Sequence, residues 1–265
     1  MIAERGEPPI LRVCNLTKRY PARPAPVLEG VSFCVARGEL LTIVGPSGAG
    51  KTTLLNVIAQ TDTADDGDVQ FESETTAIRD AATLSPGLRC RIGYVTQDDH
   101  LLPWRTVLDN VLLPLQLQKR LTGATCERAH ALLRTAGLAD YERHFPAQLS
   151  GGLRKRVSLV RTLVYDPPVI LMDEPFAAVD VHTRASLQDA LLELWDVGRK
   201  TIVFVTHDIA EAIALGDRTL VLGGTPARVR SEHRISIARP RSVADLFTCP
   251  EFTRLYTCIR AHLQQ

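Results

Sequence analysis

Apolar runs separated by short polar, glycine-rich breaks organise this chain. Ile10-Leu11-Arg12-Val13 and Val31-Ser32-Phe33-Cys34-Val35 alternate with period two, as half-buried strands do. Between them, Tyr20 to Pro26 holds three prolines and reads as a loop. Leu41 to Val44, Val169 to Met172 and Thr201 to Val205 are almost continuously apolar, which suits strands covered on both faces in a parallel sheet. Ile92 to Thr96, Arg218 to Leu222 and Ala227 to Ile237 add further strands, and Asp65 to Asp68 is a turn into Val69-Gln70-Phe71. Helical composition runs over Val107 to Gln118, interrupted by Pro114, and over Cys126 to Thr135, with Gly137 just past the end. Leu153, Val157, Val160 and Val164 form one apolar stripe; Leu187, Leu191 and Leu194 form another, ended by Gly198. The stretch from about 98 to about 164 is thus helical within an alternating strand–helix pattern, and predicts a separate helical subdomain. Residues 72–89 are polar and irregular. A last amphipathic helix, through Phe252, Leu255, Ile259 and Leu263, packs either on the parent domain or on a partner.

Candidate chemistry gathers at the ends of the buried runs. Gly45-Pro46-Ser47-Gly48-Ala49-Gly50-Lys51-Thr52 follows one strand and opens a helix, the context in which this spacing is a P-loop. Its glycines let the backbone wrap an anion, and the helix start adds its positive end. Lys51 reaches the outer phosphates, and the Thr52 hydroxyl is suited to ligate magnesium. The plain alternative is a glycine-rich turn; the flanking strand and helix favour a nucleotide triphosphate. Asp173-Glu174 ends a buried strand, where two adjacent carboxylates have no cheap structural explanation because unpaired buried charge is expensive. Asp173 suits a magnesium ion, directly or through water, and Glu174 suits orienting or deprotonating an attacking water. Gln97 and His207 also end strands; each reads either as a contact to metal, water or phosphate, or as an incidental polar terminus. Ser150-Gly151-Gly152 caps a helix and offers an anion site. The basic cluster Arg154, Lys155, Arg156 beyond it reads as a solvated face. Tyr20 either stacks on adenine or packs, and Trp104 beside Pro103 marks an interaction surface.

Composition removes several classes. The 265 residues are 45% hydrophobic and 23% charged, with a net charge of +1, so nothing calls for nucleic acid as an electrostatic partner. The apolar runs fall short of the ~20 residues of a bilayer span, so any membrane crossing belongs to another polypeptide. Six cysteines show neither C-x-x-C nor Cys/His spacing, which argues against zinc and disulfides and for a reducing compartment. Residues 1–9 lack the apolar core of a signal peptide.

Jointly, the loop Gly45 to Thr53, Gln97, Leu149-Ser150-Gly151-Gly152, Asp173-Glu174, Ala178-Val179-Asp180 and Thr206-His207-Asp208 resemble the ATP-binding subunit of an ABC transporter. The resemblance spans about Leu11 to Leu222. It implies an α/β fold: a P-loop NTPase (RecA-like) core with a mostly parallel sheet, an N-terminal antiparallel β subdomain and an inserted helical subdomain. It implies an ATP-binding domain over 1–241, with the helical part at about 98–164 and a helical tail at 242–265. It also implies ATP and Mg2+ as cofactors, and two copies closing head to tail around two ATP molecules. By that likeness Tyr20 stacks on adenine, and Gly45, Pro46, Ser47, Gly48, Ala49, Gly50, Lys51 and Thr53 hold the phosphates. Thr52 and Gln97 ligate magnesium with support from Asp173, Glu174 is the general base, and His207 contacts the γ-phosphate. Asp180 acts across the dimer, and Ser150, Gly151 and Gly152 reach the partner's ATP.

Leu101 to Val111 is most similar to importers of nitrate, sulfonates and taurine, as are Arg239-Pro240-Arg241, Asp245-Leu246 and Pro250-Glu251-Phe252. That implies permease subunits as partners, an indirect link to a solute-binding protein, and a peripheral position on the cytoplasmic face of the inner membrane. Leu153 stands where many relatives carry Gln. Two other readings are a soluble ABC-type ATPase acting on nucleic acid or ribosomes, and the ATPase of an exporter.

Overall fold

The computed structural model describes residues 8–72, 74–76, 92–177, 179–196, 199–239, 241, 246 and 248–264. Most of the irregular stretch 72–89, together with Ala178, Gly198, Pro240 and Asp245, lies outside them. The chain forms two compact units, Met1–Arg89 with Thr201–Gln265, and Cys90–Lys200. The first unit opens with β1 (Leu11–Lys18), β2 (Leu28–Val35), β3 (Leu40–Val44), α1 (Lys51–Ile58), β4 (Asp66–Phe71) and β5 (Glu74–Thr76). The second holds β6 (Ile92–Val95), α2 (Val107–Leu117), α3 (Gly123–Thr135), α4 (Gly151–Leu163), β7 (Val169–Asp173) and α5 (Val181–Asp196). The chain returns to the first unit with β8 (Thr201–Thr206), α6 (Ile209–Leu215), β9 (Arg218–Gly223), β10 (Arg228–Arg234) and α7 (Pro250–Leu263).

In the first unit an antiparallel sheet runs in the order β2-β1-β4-β5. Leu11 and Val13 are buried and Arg12 is exposed, as the alternation predicts; a register shift at Asn15, with φ +48°, then carries burial to Leu16. β3 is buried at all five positions and pairs in parallel with β8 on one side and β9 on the other. β10 closes the β9 edge in an antiparallel hairpin. The Arg218 guanidinium, on β9, reaches Glu39 Oε1 at 2.7 Å and Glu232 Oε1 at 2.8 Å, and these carboxylates outweigh burial to raise its pKa. α7 resolves the two readings of the tail. Phe252, Leu255 and Ile259 lie in one cluster with Ile209, Ile213, Val221, Ile235 and Leu246, so the helix packs on its own unit. Each such side chain contributes on the order of 1.5–3 kcal/mol.

In the second unit β6 and β7 pair in parallel. A Cβ on Gly93 would sit 2.7 Å from Thr162 Cγ2, so only glycine lets α4 lie this close to β6. α2 runs through Pro114 rather than being interrupted there. Its Thr106 side chain accepts from the Asp109 amide, and buried Val111 and Leu115 hold the helix on either side of the missing donor. Asn110, fully buried, donates to the carbonyls of Leu102, Arg105 and Thr106 and ties down the loop before α2. α3 begins three residues earlier than its apolar pattern suggests, because Thr122 and Thr125 form a capping box. Gly137 follows it at φ +68°.

Candidate functional site

In the first unit β3 feeds the loop 45–50. A Cβ on Gly45 would lie 2.5 Å from the Leu222 carbonyl oxygen, so the loop leaves the sheet where β9 allows glycine alone. Gly50 takes the N-cap of α1 at φ +79°. It offers no side-chain cap and the first turn carries no acid, so the helix's own residues leave its positive end facing the loop. Lys51 is only 5% exposed, and its Nζ donates to the carbonyls of Gly45 at 2.9 Å and Pro46 at 3.1 Å. Pro46, Ser47, Gly48 and Thr52 are exposed, Ala49 is buried, and Thr53 is half-buried.

The register Val44↔Thr206 sets the ends of β3 and β8 side by side. His207, exposed, therefore leaves the sheet beside the loop, and Asp208 caps α6 through the amides of Ala210 and Glu211. Tyr20 is half-buried; its hydroxyl donates to Asp62 Oδ2 at 2.6 Å and has Thr53 as a second hydrogen-bond neighbour. Lys18 Nζ lies 4.9 Å from the Tyr20 ring centre and 2.6 Å from Asp62 Oδ1. Burial, then Asp62, raises the Tyr20 pKa. Burial alone would raise that of Asp62, but hydrogen bonds from Lys18, Tyr20 and the Thr63 amide bring it below its ordinary 3.8. The ring is thus held beside the α1 start by Asp62 and Lys18, which no sequence pattern marked.

In the second unit the register Val95↔Met172 brings the segment after β6 and the Asp173-Glu174 pair to neighbouring strand ends. Asp173 is 7% exposed, and burial together with its charge raises the Tyr94 pKa. Glu174 has φ +44°, an αL conformation costing about 1–3 kcal/mol in a non-glycine residue, which turns the chain sharply at the strand end. Gln97 is exposed, and its carbonyl accepts from Lys155 Nζ. Here the expectation of a solvated basic face fails: Lys155 is 8% exposed. Burial lowers its pKa against the pull of Asp99 and Asp98. Arg154 Nε binds Asp99 Oδ2 at 3.0 Å, and Arg161 donates to the carbonyls of Asp99 and His100, both at 2.7 Å. Three cations of α4 therefore grip the segment 97–100.

Ser150 caps α4, its Oγ accepting from the Leu153 amide at 3.3 Å. Gly151 is exposed, whereas Gly152 is buried, and its Cβ would lie 2.3 Å from Thr183 Cγ2. The close approach of Thr183 on α5 favours glycine at 152. Asp180, exposed, accepts from the Thr183 amide at 3.0 Å and so caps α5. Trp104 is 71% exposed. Among the described residues no helix is long and apolar enough to cross a membrane.

The structure thus gathers Tyr20, the loop 45–53 and His207 in one unit, and Gln97, Asp173 and Glu174 at two strand ends of the other. The sequence profile of the family described as "ABC transporter" matches residues 28–177. The chain belongs to the ABC transporter family. Within it, the chain is 41% identical over 231 residues to an aliphatic sulfonates import ATP-binding protein of Cupriavidus necator, covering 87% of this chain and 71% of that one. It is 38% identical over 230 residues to the taurine import ATP-binding protein of Escherichia coli, covering 87% and 86%. A family cassette solved as a dimer in a post-hydrolysis state, bound to ADP and Pi, superimposes with a TM-score of 0.74 at 34% identity, covering 86% of this chain and all of that one. The α/β P-loop NTPase fold read from the sequence is therefore the fold of this chain.

Proposed function

We propose that this chain is the ATP-binding and ATP-hydrolysing subunit of an importer, energising entry of a small solute through a separate membrane permease. The observation that carries it is the glycine-capped start of α1, with no acid in its first turn and Lys51 folded over the loop, a cradle built for a polyphosphate. The solute class, sulfonate-, taurine- or nitrate-like, rests on the names of its relatives.

In this reading Gly45 to Gly50, Lys51 and Thr53 bind the phosphates and Tyr20 stacks on adenine. Glu174 takes the proton of the attacking water, and His207 donates to the γ-phosphate. Thr52, Gln97 and Asp173 offer hydroxyl, amide and carboxylate oxygens, a hard donor set that fits Mg2+. When bound, that ion would neutralise phosphate charge. Ser150, Gly151, Gly152 and Asp180 serve the site of a second, head-to-tail copy. The ATP-binding domain spans 1–241, with the helical insertion at about 98–164 and the tail at 242–265. Exposed Trp104 faces the permease, which brings a solute-binding protein in indirectly and fixes the chain at the cytoplasmic face of the membrane.

Affinity isolation from detergent-solubilised membranes tests the partner. Recovery of a polytopic membrane protein is expected; ribosomes or nucleic acid instead would overturn the reading.

A further inference from the structure

We propose that His233, Cys258 and His262 bind a transition-metal ion of the zinc class. This reverses the expectation drawn from cysteine spacing. Cys258 and His262 are four residues apart on α7, hence one turn apart on one face. His233 comes from β10, against which α7 packs.

The Cys258 thiol and one nitrogen of each imidazole lie within 4.8 Å of one another. Cys258 Sγ is 4.0 Å from His262 Nδ1, and the two imidazole centres are 5.4 Å apart. Zinc bonds of about 2.3 Å to sulfur and 2.0–2.1 Å to nitrogen put tetrahedral ligand atoms about 3.3–3.6 Å apart. Closing that difference needs only side-chain rotation, since Cys258 is exposed and both histidines are half-buried. A thiolate with two imidazoles is a soft to borderline donor set that selects zinc-class ions over magnesium or calcium.

The His233 ring already has an oxygen neighbour of the kind that orients metal-binding histidines: Ser231 Oγ lies 2.9 Å from its Nε2, which leaves Nδ1 for the metal. His262 Nδ1 lies 2.9 Å from the Cys258 carbonyl, a contact it gives up on binding a metal through that nitrogen. Three protein ligands leave a fourth position for water, so the site is of the open kind. Occupied, it would pin the tail helix to β10.

Cobalt(II) titration of the reduced, full-length protein tests this. One equivalent should give a thiolate-to-cobalt charge-transfer band that zinc displaces. The band should vanish in Cys258→Ser and persist in Cys126→Ser. His233→Ala and His262→Ala should each weaken cobalt binding at least about tenfold, no less than loss of an outer-shell partner does. Zinc should raise the unfolding midpoint of the wild type and not of Cys258→Ser. A titration with no thiolate band, a band that survives Cys258→Ser, or histidine variants that bind cobalt like the wild type would overturn the proposal.

Discussion

The phosphate loop contains two glycines in the same left-handed conformation but in different surroundings, and replacing each by alanine separates backbone strain from packing. Gly48 has φ +81° with nothing within 4 Å of an added Cβ. Gly48→Ala should therefore carry only the αL cost of an L-residue, about 1–2 kcal/mol. Gly50 has φ +79°, and its Cβ would meet Val27 Cγ1 at 2.8 Å and Leu28 Cδ2 at 2.9 Å. Val27 and Leu28 are themselves buried and have little room to yield. Overpacking adds about 1–3 kcal/mol, so Gly50→Ala should cost about 2–5 kcal/mol in all. At about 2–4 °C per kcal/mol for a chain approaching this size, it should melt roughly 2–12 °C below Gly48→Ala. Thermal unfolding followed by circular dichroism on both variants measures the gap. Equal midpoints, or a less stable Gly48→Ala, would refute the packing argument.

Lys51→Ala should remove tight ATP binding, read by equilibrium titration with a fluorescent ATP analogue; wild-type affinity would refute the cradle. Lys155→Met keeps the bulk of a buried side chain but frees the Gln97 carbonyl, and should lower the hydrolysis rate by about ten- to a hundredfold with ATP affinity retained. An unchanged rate would mean that the grip of α4 on residues 97–100 is structural only. Asp62 has its folded pKa below the ordinary 3.8, so its contribution is complete only well above 3.8 and is lost as pH falls past that value and through the lower folded one. The stability gap between wild type and Asp62→Asn should accordingly shrink from about pH 5 toward pH 3 in urea titrations; a gap that widens on acidification would contradict the sign.

The sequence revealed the elements whose causes are local and missed those whose causes lie across the fold. The apolar runs of β3, β7 and β8 and the glycine–lysine loop announced themselves because burial and phosphate binding both demand particular residues in consecutive positions. Lys155 read as solvated because its neighbours Arg154 and Arg156 are basic; only the fold shows the Gln97 carbonyl waiting for it. Gly152 reads as a phosphate contact, and the nearness of Thr183 on another helix is a second reason for glycine there that the sequence does not show. The Asp62–Tyr20–Lys18 group joins a strand end to a turn more than forty residues away, a pairing no spacing rule reaches. The same holds for His233 with Cys258 and His262, since two members of that cluster are visible as a helical i, i+4 pair and the third arrives from β10. Pro114 misled for the opposite reason: the local rule against proline was outweighed by the burial of Val111 and Leu115.

In the proposed function each ATP site is completed by a second copy of the chain. Glu174→Gln should bind ATP yet hydrolyse it far more slowly, holding the closed state. Its mass in solution, measured by light scattering with and without Mg-ATP, reports that pairing. The mass should double on adding Mg-ATP and stay monomeric when Lys51→Ala is introduced into the same chain. A mass that stays monomeric with ATP bound, or a dimer indifferent to ATP, would contradict it.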